Sequence, residues 1–268
     1  MGIGQKVLEE LSSGNSFYDR LNRHTDEIEG IEEQLEMGVM PSIFRLHSKS
    51  SAITPKSPEE YLEILSLIDI KKAQPKVLKE IVDRVLGYPT SYYSVKRKVV
   101  EEVRIRSMEY IHKNKKLECS LFRAHIQILS RCTNAYFADV IKPICEEGMT
   151  NTVSLIISRV LMKSTPERVY MEEMLLSILA LQRTHSVYTL LTAILIKNIQ
   201  FKQETVDVVY EYILDGPEIA EQRFLAWNKV VLIFIRNYKK QVDLQPIKEM
   251  YAETVSPIEK EIEKELLS

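Results

Sequence analysis

From about residue 57 to the end, apolar side chains return at three- and four-residue spacings, in stretches separated by short polar breaks. "SPEEYLEILSLI" opens with Ser57 as a cap, Pro58 at the first helical position and Glu60 three residues after the cap, a capping-box pattern. "PKVLKEIVDRVLG" repeats the style and stops at Gly87. Residues 91–113 place Val95, Val99, Val103 and Tyr110 on one stripe. Two further helices are predicted over 117–131 and 133–147. Others start near Thr150, at Pro166 behind a Thr165 cap, near His185, near Gln203 and at Pro217–Glu218. The last long one contains "FLAWNKVVLIFIRNYKK" (224–240). No segment alternates with period two over a useful length, so the class is all-α. Helix starts near 133, 166 and 203 suggest antiparallel helix pairs in an array of the HEAT or tetratricopeptide kind, although no repeat consensus is visible.

Three regions follow. Residues 1–55 hold acidic helical pieces and then a Ser/Pro-rich extended linker, "SKSSAITPKSP". Residues 56–255 form the helical domain, and 256–268 form an acidic C-terminal helix. The N-terminus lacks the basic flank and apolar core of a secretion signal. The longest strongly apolar uncharged run, residues 184–196, is too short to span a membrane. Cys119, Cys132 and Cys145 contain no CxxC pair, which argues against a disulfide framework or a zinc site and for a reducing compartment.

The chemistry-bearing candidate is "PICEEG" (143–148), where a proline interrupts an apolar helix and a cysteine precedes two acids and a glycine. A nucleophilic thiolate needs an electropositive setting. Glu146, Glu147 and a helix C-terminus supply the opposite. Cys145 therefore reads as a small buried apolar residue, Pro143 as a kink and Gly148 as a left-handed cap. His125 and Cys132 share a helix face, which core packing explains. The sequence has no P-loop, G-x-S-x-G or HExxH, and no cofactor or metal is expected.

The formal charge of −2 hides an asymmetry: residues 56–135 carry 16 basic and 10 acidic side chains. Lys96, Arg97, Lys98, Arg104, Arg106, Lys113, Lys115 and Lys116 cluster against Glu101, Glu102 and Glu109. One reading is a solvated helix laced by the pairs Arg97–Glu101, Lys98–Glu102, Glu102–Arg106 and Glu109–Lys113. That leaves Lys96, Arg104, Lys115 and Lys116 over. The other reading is a phosphate-binding surface for RNA. Trp227, inside the most apolar helix, reads as core rather than as a base-stacking platform.

Three separated stretches together resemble the bystin family, eukaryotic factors of small ribosomal subunit assembly. The first is "GVMPSIF", with Gly38, Pro41 and Phe44. The second joins Tyr136–Phe137 to Pro143, Cys145, Glu146 and Gly148, then "KSTP" with Pro166. The third is Trp227 followed by Tyr238 and Lys239. Val39 and Ser42 replace family lysines, Asn228 replaces a family histidine, and an Arg-Glu pair after "PICEEG" is missing. The chain also reads as a shortened member without the long charged N-terminal extension. The resemblance implies a non-enzymatic factor on the head and beak of the nascent subunit, first in the nucleolus and nucleus and later in the cytoplasm. The implied partners are precursor small-subunit rRNA, ribosomal proteins and other assembly factors of the head, with no membrane and no small-molecule substrate. It also raises the weight of the RNA reading for residues 96–116. The competing readings are a helical-repeat protein–protein adaptor without RNA contact and an enzyme using Cys145 or an acid pair.

Overall fold

A computed structural model describes residues 25–41, 62, 65–66, 68–87, 93–216, 225–253 and 256–267. Among these residues there are helices and no strands, so the protein is all-α. The expected Ser57 cap, the Ser/Pro-rich linker, Phe44 and the start at Pro217–Glu218 lie outside the described residues. The chain divides into two compact units: residues 1–105 with 118–124, and residues 106–117 with 125–268.

In the first unit, α1 (Thr25–Glu36) ends at Gly38, whose φ of +76° makes it the left-handed residue after the helix. Its amide donates to the Leu35 carbonyl at 3.2 Å. A short 3₁₀ turn at Ile70–Lys72 is fastened to α1 by Lys72 Nζ, 2.7 Å from Glu32 Oε2. That bond to Lys72 is the main reason the Glu32 carboxyl is held below its ordinary range. Helix α2 (Pro75–Val85) begins on its proline, where the missing N–H costs nothing. It buries Val77, Leu78, Ile81, Val82 and Val85.

Helix α3 (Tyr93–Asn114) buries Val99, Val100, Val103 and Ile111. The stripe expected on Val95 and Tyr110 is shifted: both are only half-buried, and Ile111 takes the last core position. The helix ends on Lys115, which adopts a left-handed φ of +57° and donates its amide to the Ile111 carbonyl. Helix α4 (Cys119–Arg131) follows.

The second unit continues with α5 (Thr133–Tyr136), a π turn (Phe137–Ile141) and α6 (Lys142–Glu146). The kink expected at Pro143 takes the form of this π turn. The Lys142 amide reaches back to the Phe137 carbonyl, and Pro143 follows in the first turn of α6, where no N–H is needed. Then come α7 (Asn151–Lys163), α8 (Arg168–Leu179), α9 (His185–Leu195), α10 (Gln203–Leu214), α11 (Leu225–Tyr238), α12 (Gln245–Met250) and α13 (Pro257–Leu267). Thr150 and Thr184 cap α7 and α9 through their side-chain oxygens. Thr165 does not cap α8. The helix starts later, at Arg168, and the Thr165 amide donates instead to Ser130 Oγ.

Helix α7 packs on α9, α9 on α11 and α11 on α13, while α8 packs on α5, α9 and α10. The bonds joining the first series advance together along both partners, so α7 and α9 run in the same direction. Ser186 Oγ donates to the Met149 carbonyl, Ser158 Oγ to that of Thr189, and Lys197 Nζ to that of Ser164 at 2.7 Å. From α9 onward Asn237 donates to the Leu195 carbonyl, Tyr238 to that of Ile199, and Arg236 to Glu265.

Candidate functional site

The basic stretch lies on α3 and the turn that ends it, and the structure sorts its members by exposure. Arg97, Lys98, Lys113, Lys115 and Lys116 are exposed; Lys96, Arg104 and Arg106 are half-buried. Lys96 and Arg104, expected to be left over, both have interaction partners. Among the described residues Glu101 and Glu109 make no ion pair, so the expected Arg97–Glu101 and Glu109–Lys113 pairs do not close. Glu102 is buried, and Lys98 Nζ turns to the Ser66 carbonyl at 3.3 Å.

The two ends of this stretch differ electrostatically. Lys113 and Lys115 sit at the C-terminus of α3, where cations complement the helix dipole. Lys96, Arg97 and Lys98 stand in the first two turns, where cations oppose it, and no acid occupies the first turn. The helix dipole therefore favours the lysines at the far end and disfavours the basic group at the start.

The "PICEEG" bend is architectural in its geometry. Gly148 has φ +93° and donates to the Cys145 carbonyl. Cys145 is half-buried rather than buried, and desolvation, aided by the Glu146 charge, pushes its thiol up to about 11. Glu146 is exposed, 3.9 Å from Lys142. Pro166 is half-buried in the turn before α8. There Lys197, its ammonium disfavoured by burial, satisfies the last carbonyls of α7.

A serine–histidine arrangement that sequence reading missed joins α3, α4 and α5. Ser107 Oγ lies 2.9 Å from His125 Nε2, and Tyr136 Oη lies 3.0 Å from His125 Nδ1. Its signal was the mismatch between a lone serine and its apolar stripe neighbours Val99 and Val103. Burial pushes the imidazole down to about 4 and the phenol up. All three side chains are at most 2% exposed, so no substrate reaches them, and the cluster acts as a satisfied polar bridge within the core. Among the described residues no group of three His, Cys, Asp or Glu side chains converges to hold a metal, and no helix is long and apolar enough to cross a membrane.

Trp227 is fully buried on α11, edge-on to Tyr188 of α9 at 5.3 Å and tilted against Tyr212 of α10 at 6.1 Å. Eleven residues later Tyr238 is buried between Phe201 and Phe234, its hydroxyl bonded to the Ile199 carbonyl at 2.7 Å. Lys239 is half-buried with its Nζ 3.8 Å from Glu265. Arg236 pairs with Glu261 and Glu265, so this end of α11 is neutralised by α13.

A family model described as Bystin matches residues 90–268. The chain belongs to the bystin family. The match takes in the "PICEEG", "KSTP" and Trp–Tyr-Lys elements and all eight basic residues of the α3 stretch, and it leaves out "GVMPSIF". No curated protein matches the chain. Within this bystin-family domain the family-like residues divide by role. Pro143, Gly148, Trp227 and Tyr238 shape or fill the helical stack, and Lys239 ties it to α13. Asn228 is buried, accepts from the Tyr251 hydroxyl and approaches Glu259, which keeps α11, α12 and α13 together.

Proposed function

We propose that the protein is a non-enzymatic assembly factor of the small ribosomal subunit that holds precursor rRNA and head-region proteins by binding alone. Membership of the bystin family is the observation that carries this reading. The exposed Arg97 and Lys98 near the start of α3 and the exposed Lys113, Lys115 and Lys116 at its end support an RNA-facing role for that stretch. Of the eight basic residues, the five exposed ones, Arg97, Lys98, Lys113, Lys115 and Lys116, are the phosphate contacts. Lys96, Arg104 and Arg106 support the helix instead.

Same-direction packing of α7, α9, α11 and α13, with α8 and α10 intervening, supports a helical-repeat array as the architecture that presents these surfaces. Work in the nucleolus and nucleus, then in the cytoplasm, is part of the same proposal.

The test is binding of a transcribed small-subunit head rRNA fragment across a salt series, with Arg97, Lys113, Lys115 and Lys116 changed to Glu. Loss of four phosphate contacts flattens the log–log salt slope by about 0.7–0.9 per contact. An unchanged slope with intact helical circular dichroism rejects the α3 surface. Absence of the tagged protein from pre-ribosomal gradient fractions rejects the assembly role.

A further inference from the structure

One face of the α7–α9–α11 layer carries an open groove of about 250 Å³. It lies wholly within the second unit, and neither α8 nor α10 contributes to it. Leu155 and Met162 on α7, Ile196 just after α9, and Leu225 on α11 stand around it. All four are large apolar side chains left exposed. Isolated exposed leucines are ordinary; four converging on one concavity mark a surface built to be covered.

The floor is made of small side chains: Ser158, Thr189, Thr192, Ala193 and Ala226. Its hydroxyls are already used. Ser158 donates to the Thr189 carbonyl, Thr189 to that of His185, and Thr192 to that of Tyr188. With these donors already used, the floor offers an occupant few hydrogen-bond donors, and the large side chains around it are apolar. From His185 to Ile196 the groove follows α9 for about 16 Å, the length of three helical turns.

Charge selects the kind of apolar segment. Arg159 and Lys229 line the groove, no acid does, and neither cation has an ion pair or hydrogen bond among the described residues. Two other exposed cations of this unit, by contrast, are met by acids: Arg168 by Glu172 and Arg236 by Glu261.

We propose that this groove docks a short amphipathic helix of a partner protein, with apolar anchors at i, i+4 and i+7 and acidic residues on its flanks that meet Arg159 and Lys229. The apolar anchors seat between Leu155, Met162, Ile196 and Leu225, the arrangement by which helical peptides bind hydrophobic grooves. This rests on the groove alone and not on the ribosomal reading, and its test uses no RNA, so either can fail without the other.

The experiment is selection from a displayed library of random 16-residue peptides on the purified full chain. Enriched clones are then measured against Leu155→Asp/Ile196→Asp and Arg159→Glu/Lys229→Glu proteins. These positions are exposed, and circular dichroism checks that the helices persist. The expected clones share the apolar spacing and carry Asp or Glu. They lose at least tenfold in affinity to the Asp variant. Against the charge-reversed protein they weaken, and their Lys-substituted versions recover. Enrichment of no clone, of clones without acids, or of clones that bind the Asp variant equally overturns the proposal. Sedimentation equilibrium showing a dimer that Ile196→Asp dissolves also overturns it, by giving the face to a second copy of the chain.

Discussion

Gly216 lies against the six-membered ring of Trp227 so closely that a Cβ on the glycine would overlap the indole. The same Cβ would sit 2.8 Å from the Ile213 carbonyl oxygen. Gly216 follows α10, and Trp227 sits on α11 with its ring fully buried, so neither side has space to yield. Gly216→Ala is expected to destabilise the protein by about 1–3 kcal/mol through overpacking. Urea unfolding followed by tryptophan fluorescence measures it, since Trp227 is the sole reporter. A midpoint equal to that of the unmodified protein would show that the indole moves aside.

Gly148 makes the opposite case. A Cβ there meets nothing within 4 Å, yet its φ of +93° is a conformation L side chains rarely adopt. Gly148→Val should therefore cost more than about 1 kcal/mol from backbone strain alone. Gly148→Asn should cost less, because asparagine tolerates the left-handed region better. Equal melting temperatures for the two variants would reject a conformational cause.

His125 makes stability depend on acid. Burial holds its folded pKa at about 4, against an ordinary 6.5. Above pH 6.5 both folded and unfolded chains carry the neutral ring, and the full stability is present. As pH falls from 6.5 toward 4 only the unfolded chain takes up the proton, so stability declines through that window. One such group contributes a loss of about 2 kcal/mol at pH 5. The check is the slope of unfolding free energy between pH 7 and 5, expected to flatten by up to one proton in His125→Gln. A parallel slope in the variant would place the titration elsewhere.

Cys145, with its thiol pushed up to about 11, should react slowly with iodoacetamide at pH 8, while exposed Cys119 serves as the internal reference. Cys145→Ala should lower stability by on the order of 1 kcal/mol and leave particle binding unchanged. Faster alkylation of Cys145 than of Cys119, read by peptide mass spectrometry, would reopen a reactive role.

The sequence carried the helices well where caps and periodicity agreed. Thr150 and Thr184 do cap α7 and α9, and Gly148 does turn left-handed. It misplaced the start of α8, because the Thr165 amide bonds to Ser130, thirty-five residues away. It could not show that Pro143 would be accommodated by a π turn, since the register of one turn depends on packing. The basic stretch was visible as composition, but its division into exposed and supporting cations needs the rotation of α3 about its axis. Lys96 and Arg104 read as left over because a search for i,i+4 acids does not find the partners that both have. The α7–α9–α11 groove was hidden for a related reason: Leu155, Ile196 and Leu225 look like core residues of three unconnected helices until stacking sets them side by side.

The bonds that join successive parallel helices each span one intervening helix among the described residues. The sequence separation is 37 residues from Ser186 to Met149, 42 from Asn237 to Leu195 and 29 from Arg236 to Glu265. Each closure step thus encloses a loop of similar length, and loop entropy changes only slowly over such lengths. The order of synthesis can then be the order of assembly: once α9 has left the ribosome it can dock on α7, and α11 on α9, without awaiting any later residue. Helix α13 is added to α11 in the same way. A released chain ending at residue 256 would leave α11 without its packing partner α13, and protease sensitivity of such a truncated chain should be confined to α11 and α12 while α7 to α9 resist.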